Sequence, residues 1–167
     1  MVLLEKYILD APAAMRKIQR MSLEFAEQIS GDMTAVVVIG IRNSGMVIAE
    51  KVGEALSNIL PNKISILSAW LDKQVPAEVN FSQEIDFSNL HILIVDDVAN
   101  SGRTLTYSLK PLLNFHPKSI RTMVLVERMH KQFPVKPDFV GLSIATTPEQ
   151  HIQVAVEDNE IKGAFVS

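Results

Sequence analysis

His91-Ile92-Leu93-Ile94-Val95-Asp96-Asp97-Val98-Ala99-Asn100-Ser101-Gly102-Arg103-Thr104-Leu105 is the stretch that decides the fold. Its apolar run, residues 92–95, reads as a buried strand; Asp96 and Asp97 end it, and a turn of small residues leads into an amphipathic segment. In an open α/β sheet, ligands sit in the crevice beyond the carboxyl ends of the strands, and a turn leading into a helix there aims free N–H groups outward. A phosphate suits such a turn. Ser101, Gly102 and Thr104 supply hydroxyl and amide donors without bulk, and paired carboxylates accept hydrogen bonds from hydroxyls or coordinate a hard cation. Gly102 also permits a backbone angle closed to most residues. Read alone, the acids would be a cap on the following helix. Neighbours on a strand point to opposite faces, however, so both cannot cap one helix.

The pattern on either side supports the same sheet. Asp10 and Pro12 mark a helix start, and Ala14, Met15, Ile18, Met21, Phe25, Ala26 and Ile29 follow at helical spacing up to Gly31. Residues 35–41 form a continuous, largely β-branched run typical of a central parallel strand, ending in Arg42-Asn43-Ser44-Gly45 before a second helix that holds Val47, Ile48, Val52 and Leu56. Further strands are expected at residues 63–69 and 119–126, with a helix carrying Leu105, Leu109, Leu112 and Leu113 between the quoted strand and the latter. Alternating strand and helix predict an α/β fold with a mostly parallel sheet and right-handed crossovers. Beyond Pro134 the rhythm changes to short strands at 139–145, 152–156 and 161–166 with no helix between them, which suggests a small antiparallel hood. With no repeats or linker-like stretches, residues 1–167 read as one domain, its core at about 10–130 and the hood from about 131 with an N-terminal contribution. The polar stretch 72–89 is too long for an ordinary connection and reads as a lid, with surface loop as the competing explanation.

The acid pair with Val98-Ala99-Asn100-Ser101-Gly102-Arg103-Thr104-Leu105 resembles the phosphoribosyl-pyrophosphate (PRPP) signature of type I phosphoribosyltransferases. The resemblance implies that fold, PRPP and a nucleobase as substrates, and magnesium as the metal. It implies that Asp96 and Asp97 contact the ribose hydroxyls directly or through the metal, with Asp97 aiding the proton or developing positive charge. Ala99, Asn100, Ser101, Gly102, Arg103 and Thr104 would wrap the 5-phosphate; Ile41, Arg42, Asn43, Ser44 and Gly45 would take the pyrophosphate, a plain turn being the alternative there. A lid in this family shields an oxocarbenium-like ribose from water. Lys73, Ser82 and Gln83 are its candidate contacts, although the stretch lacks arginine.

Residues 125–141, Leu-Val-Glu-Arg-Met-His-Lys-Gln-Phe-Pro-Val-Lys-Pro-Asp-Phe-Val-Gly, resemble the carboxyl-terminal region of the pyrimidine operon attenuator and uracil phosphoribosyltransferase family; purine-salvage enzymes share the last six. This implies base stacking on Phe139 and backbone hydrogen bonds from Val140, with core packing of Phe139 as the alternative. Glu127 stands where purine enzymes place a lysine and Thr146 where they place an acid, so purines are disfavoured; Glu127, Thr146 and Thr147 are compatible with the uracil-type pattern without identifying a pyrimidine, which makes uracil the expected base and another base the alternative. The uracil family's Thr-Arg pair in the pyrophosphate turn is Asn43-Ser44 here, with Arg42 just before. The resemblance covers most of residues 35–166, and dimers or higher homo-oligomers are usual among its members.

Composition narrows the alternatives. The 167 residues are 47% hydrophobic, with no run long enough to span a bilayer and no visible secretion signal, so a soluble cytoplasmic protein is expected. The absence of cysteine excludes disulfides and thiolate chemistry. A net charge of −3 has the wrong sign for a chain devoted to a polyanion. A basic stretch of Arg121, Arg128, His130, Lys131 and Lys136 nevertheless keeps a second class open, an RNA-binding nucleotide sensor like some members of the uracil family. His91, His116 and His151 read as structural or surface residues, His130 lies in a motif region, and none shows metal-ligand spacing. Trp70 reads as a packing anchor rather than a stacking platform. A dinucleotide-binding protein is excluded because no Gly-x-Gly-x-x-Gly turn follows the first strand.

Overall fold

In the computed structural model, which describes residues 6–72 and 78–167, the apolar runs form a six-stranded sheet at the centre of the molecule. Its strands are β2 (Val36–Ile41), β3 (Ile64–Trp70), β4 (Asn80–Phe81), β5 (His91–Ala99), β6 (Ser119–Arg128) and β7 (Phe139–Ile144), in the order β4-β3-β2-β5-β6-β7. All neighbours are parallel except β4, which pairs antiparallel with β3 at the edge. Every residue of β2 is buried, as its β-branched composition requires of a strand covered on both faces.

Alternate side chains of these strands enter two cores. Val36, Val38, Leu93, Val95, Met123 and Leu125 face α1 (Ala11–Gln28) and α2 (Ser44–Ile59), while Val37, Ile39, Ile92, Ile94 and Val124 face Leu105 and Leu112. Asp10 caps α1, its Oδ1 accepting from the Ala13 N–H at 2.8 Å, with Pro12 in the first turn as the sequence suggests. Helix α3 (Arg103–Leu109) is shorter than its leucine spacing implies. Pro111 falls in a 3-10 turn, Lys110–Asn114, and Leu113 is left on the surface at 69% exposure.

The hood is a three-stranded antiparallel sheet of β1 (Lys6–Asp10), β9 (Glu160–Val166) and β8 (Ile152–Glu157), in that order. Asp158 and Asn159 both have positive φ and close the β8–β9 hairpin, a conformation that Asp and Asn tolerate. The division differs from the sequence expectation in one respect. β7 extends the main sheet parallel to β6 rather than joining the hood, because residues 129–138 make the crossover without a helix. The stretch 72–89 also differs from a free polar loop. β4 pairs with β3, and Phe87, 2% exposed, packs its ring against Phe81 at 5.2 Å and Phe115 at 5.4 Å.

Candidate active site

The parallel strands deliver their carboxyl ends to one edge, and the candidate site lies there. Asp96 continues β5 just beyond the apolar run and is 1% exposed. Its Oδ1 accepts from the Asp97 N–H at 2.8 Å; Asp97, half-buried, accepts from the Val98 N–H at 2.8 Å. Neither caps α3, whose N-cap is Gly102 at φ 85° with no side-chain hydrogen bond. Asp96 and residues 98–105 line a cavity of about 180 Å³, and Asp97 is not among its lining residues.

The loop is held by its carbonyls. Ser101 O accepts from the N–H groups of Gln132 and Phe133 at 2.9 and 3.0 Å, and Gly102 O accepts from the N–H and hydroxyl of Thr106. The Arg103 N–H donates to Ser101 Oγ at 3.2 Å. Among the described residues, the amides of Ser101 and Gly102 donate to no protein acceptor. Peptide N–H groups at a cavity wall without internal partners form an anion-binding surface. Gly102 is required twice here, by its left-handed backbone and by the Val135 carbonyl 3.2 Å from where a Cβ would stand.

The turn after β2 closes against the same acid. A Cβ on Gly45 would lie 2.9 Å from Asp96 Oδ1, 3.0 Å from Asp96 Cα and 3.1 Å from the Val95 carbonyl, so the first turn of α2 touches the end of β5. Ile41 is wholly buried, backbone included, so it offers no ligand contact. Arg42 and Asn43 are exposed and Ser44 is half-buried. The Arg42 guanidinium donates to Ser68 Oγ at 3.1 and 3.3 Å and lies over the Trp70 ring at 4.3 Å.

A larger cavity of about 620 Å³ shares the loop after β5. Asn100 and Ser101 line both cavities; Arg128, His130, Gln132, Thr146 and Pro148 complete the second. The Thr146 hydroxyl is the buried side-chain polar atom without a partner among the described residues. The Arg128 guanidinium donates to the Thr147 carbonyl and secures that turn. Behind it, buried Glu127 pairs with Lys131 at 3.1 Å and accepts from Ser143 Oγ at 3.0 Å, while Lys131 also donates to the Arg128 carbonyl. Gln132 and Pro148 were not singled out by sequence. The rule that exposed the other loops would have found them, since they follow the carboxyl ends of β6 and β7.

Two expectations are corrected. Phe139 is 2% exposed and meets Phe25 edge-on at 6.0 Å in the core; the Val140 carbonyl accepts from Arg20 at 2.9 Å. The reason is register. Phe139 pairs with Met123 and Val140 with Val124 in mid-sheet, well below the edge, so neither is a base contact. As for the lid, Ser82 is bonded to Ser68 through its N–H and Oγ at the sheet margin, and Gln83 lines a separate groove with Pro111, Asn114 and Phe115. Neither lines the cavity at Asp96. Lys73 lies outside the described residues.

Comparison with known proteins gives the family. Residues 6–159 match the model of the phosphoribosyl transferase domain. The "Bifunctional protein PyrR" of Limosilactobacillus reuteri is 32% identical over 163 residues, covering 90% of this chain and 91% of that protein; that of Limosilactobacillus fermentum is 31% identical, covering 90% of each. Among solved structures, the hypoxanthine phosphoribosyltransferase of Trypanosoma cruzi superposes with a TM-score of 0.80 at 17% identity, over 97% of this chain and 95% of that one. At that identity the likeness concerns the fold.

Proposed function

The chain belongs to the phosphoribosyl transferase domain family, and from that premise we propose that it transfers phosphoribosyl from PRPP to uracil and releases pyrophosphate. The observation that carries the reading is the shared wall of Asn100 and Ser101. It sets a small cavity with unpartnered amides and a carboxylate beside a larger one, as a sugar phosphate joined to a planar base requires.

In this reading, residues 99–104 wrap the 5-phosphate, with the Ser101 and Gly102 amides donating to it, and Asp96 receives a ribose hydroxyl. Asp97 meets the ribose from its own side and steadies positive charge as the bond from C1 to pyrophosphate breaks. Residues 42–45 receive the departing pyrophosphate, and the base lies between Arg128, His130, Thr146 and Pro148. The catalytic work is positioning and charge stabilisation. The donor chemistry suits magnesium, a hard cation that takes one or two carboxylates together with substrate oxygens. Among the described residues no cluster of three His, Cys, Asp or Glu holds a metal independently, so the ion would arrive shared with PRPP and Asp96 or Asp97. When bound, it would neutralise pyrophosphate charge.

Uracil is preferred on the chemistry of the larger cavity. Among its described lining residues there is no carboxylate, and the buried Glu127 behind them is committed to Lys131 and Ser143, which leaves no acid to accept from a purine amino group. Incubating the protein with PRPP, magnesium and each of a panel of bases, with pyrophosphate release as the readout, tests this. Uracil should give the highest kcat/KM. Turnover with a purine alone would replace the assignment of base, and no turnover with any base would remove the reading.

A second reading, an RNA-binding regulator, has one specific observation in its favour. The exposed His130 and Lys136 ride on the segment whose Gln132 and Phe133 amides grip Ser101, so nucleotide at the loop would be coupled to that surface. Against it, Lys131 faces Glu127 and Arg121 faces Asp138, which reduces the free positive charge. Titration with a transcript leader at two salt concentrations separates the two: phosphate contacts give a steep salt dependence, and no binding at low salt removes the regulator.

A further inference from the structure

Arg42 stands two places before Ser44, the position at which the resembling uracil family carries its arginine. The side chain is exposed but not loose. Its Nε and Nη2 donate to Ser68 Oγ at 3.3 and 3.1 Å, and its guanidinium lies 4.3 Å from the centre of the Trp70 ring. Ser68 is itself fixed, its N–H donating to Ser82 Oγ at 3.0 Å and its carbonyl accepting from the Ser82 N–H at 2.9 Å. The Arg42 N–H donates to the Ala69 carbonyl, so backbone and side chain are both referred to the end of β3. No acceptor engages Nη1 among the described residues. An arginine held on one edge of its fork presents the other edge to an anion, and the rotamer freedom it would lose on binding is already surrendered.

We propose that Trp70 and Ser68 are positioning residues that hold Arg42 as the cation receiving pyrophosphate. This rests on the phosphoribosyltransferase reading for its substrate but not for its geometry. The arrangement supplies at the end of β3 the charge that Asn43 and Ser44 lack. It also assigns Trp70 a role that packing does not require, since the residue is 38% exposed.

Trp70 is the one tryptophan in the chain, so its emission reports on this contact alone. Inorganic pyrophosphate titrated with magnesium should change that emission saturably, and the response should vanish in Arg42→Gln. In the transfer assay, Trp70→Ala should raise KM for PRPP about 2- to 5-fold, the equivalent of one exposed cation–π contact, while leaving KM for the base unmoved. Trp70→Phe, which keeps an aromatic face, should restore most of the loss. Pyrophosphate that binds by calorimetry without altering the emission, pyrophosphate that does not bind, or an unchanged KM for PRPP in Trp70→Ala overturns the proposal. Failure of this kind in a protein that turns over PRPP leaves the transferase reading standing. An Arg42-dependent emission change in a protein inactive with every base sustains the clamp and removes the transferase.

Discussion

Replacing Gly45 by alanine probes the contact on which the shared cleft depends. The added Cβ would fall 2.9 Å from Asp96 Oδ1, 3.0 Å from Asp96 Cα and 3.1 Å from the Val95 carbonyl. Ordinary contacts of a Cβ begin near 3.4 Å, so the three are short by about 0.5, 0.4 and 0.3 Å. Two of the three atoms are backbone of a central strand that cannot yield, so the first turn of α2 must move instead. Overpacking of this kind costs about 1–3 kcal/mol. If that cost falls on the ligand-ready position of that turn, it corresponds to an approximately 5- to 150-fold rise in KM for PRPP. The assay is pyrophosphate release at varied PRPP, with urea unfolding on the same preparation to apportion the cost between fold and site. KM for PRPP should rise while KM for the base changes little. A Gly45→Ala protein with wild-type stability and wild-type KM for PRPP would refute the close approach of α2 to the end of β5.

Other expectations follow from single residues. Phe139→Ala should lower unfolding free energy by about 3–5 kcal/mol, as truncation of a buried aromatic does, whereas Phe139→Leu should leave KM for the base unchanged; a raised base KM in the leucine variant would restore the stacking role. At the opposite end of the sheet, Lys118 chiefly, then Thr34 and His91, hold the Asp32 carboxyl well below the usual carboxylate range. A depressed folded-state value means that the unfolded chain binds the proton first, so this stabilisation is complete above about pH 5 and drains away as pH falls through the ordinary carboxylate value toward the folded one. Asp32→Asn should therefore be less stable than wild type at neutral pH, with the gap closing in acid. Parallel acid-unfolding curves for the two proteins would exclude the linkage.

How far the chain could be read beforehand follows from where its information is local. The central strands were legible because residues 36–41 and 92–95 are apolar without interruption, and the capped start of α1 because Asp10 and Pro12 act within one turn. The turn at residues 100–102 was legible as a turn because small residues directly after a strand have few other uses. The place of β7 was not, since nothing local to residues 139–144 says whether they pair with β6 or with the hood; tertiary pairing decides. Phe139 shows the same limit from the other side. A family-like hexapeptide suggested an exposed ring, but the register with Met123 sets it in mid-sheet against Phe25, a partner 114 positions earlier in the chain. The burial of Phe87 was hidden by the polar residues around it, and the larger cavity by its assembly from three separate segments.

The most direct measurement is calorimetric titration of PRPP with magnesium into wild type and into Asp96→Asn/Asp97→Asn. Wild type should bind one PRPP per chain, and the double variant, folded by circular dichroism, should lose at least about tenfold in affinity together with all turnover, since charge-assisted hydrogen bonds to the sugar are gone. Equal affinity and undiminished pyrophosphate release in the double variant would contradict the grasp of a sugar phosphate by this strand end.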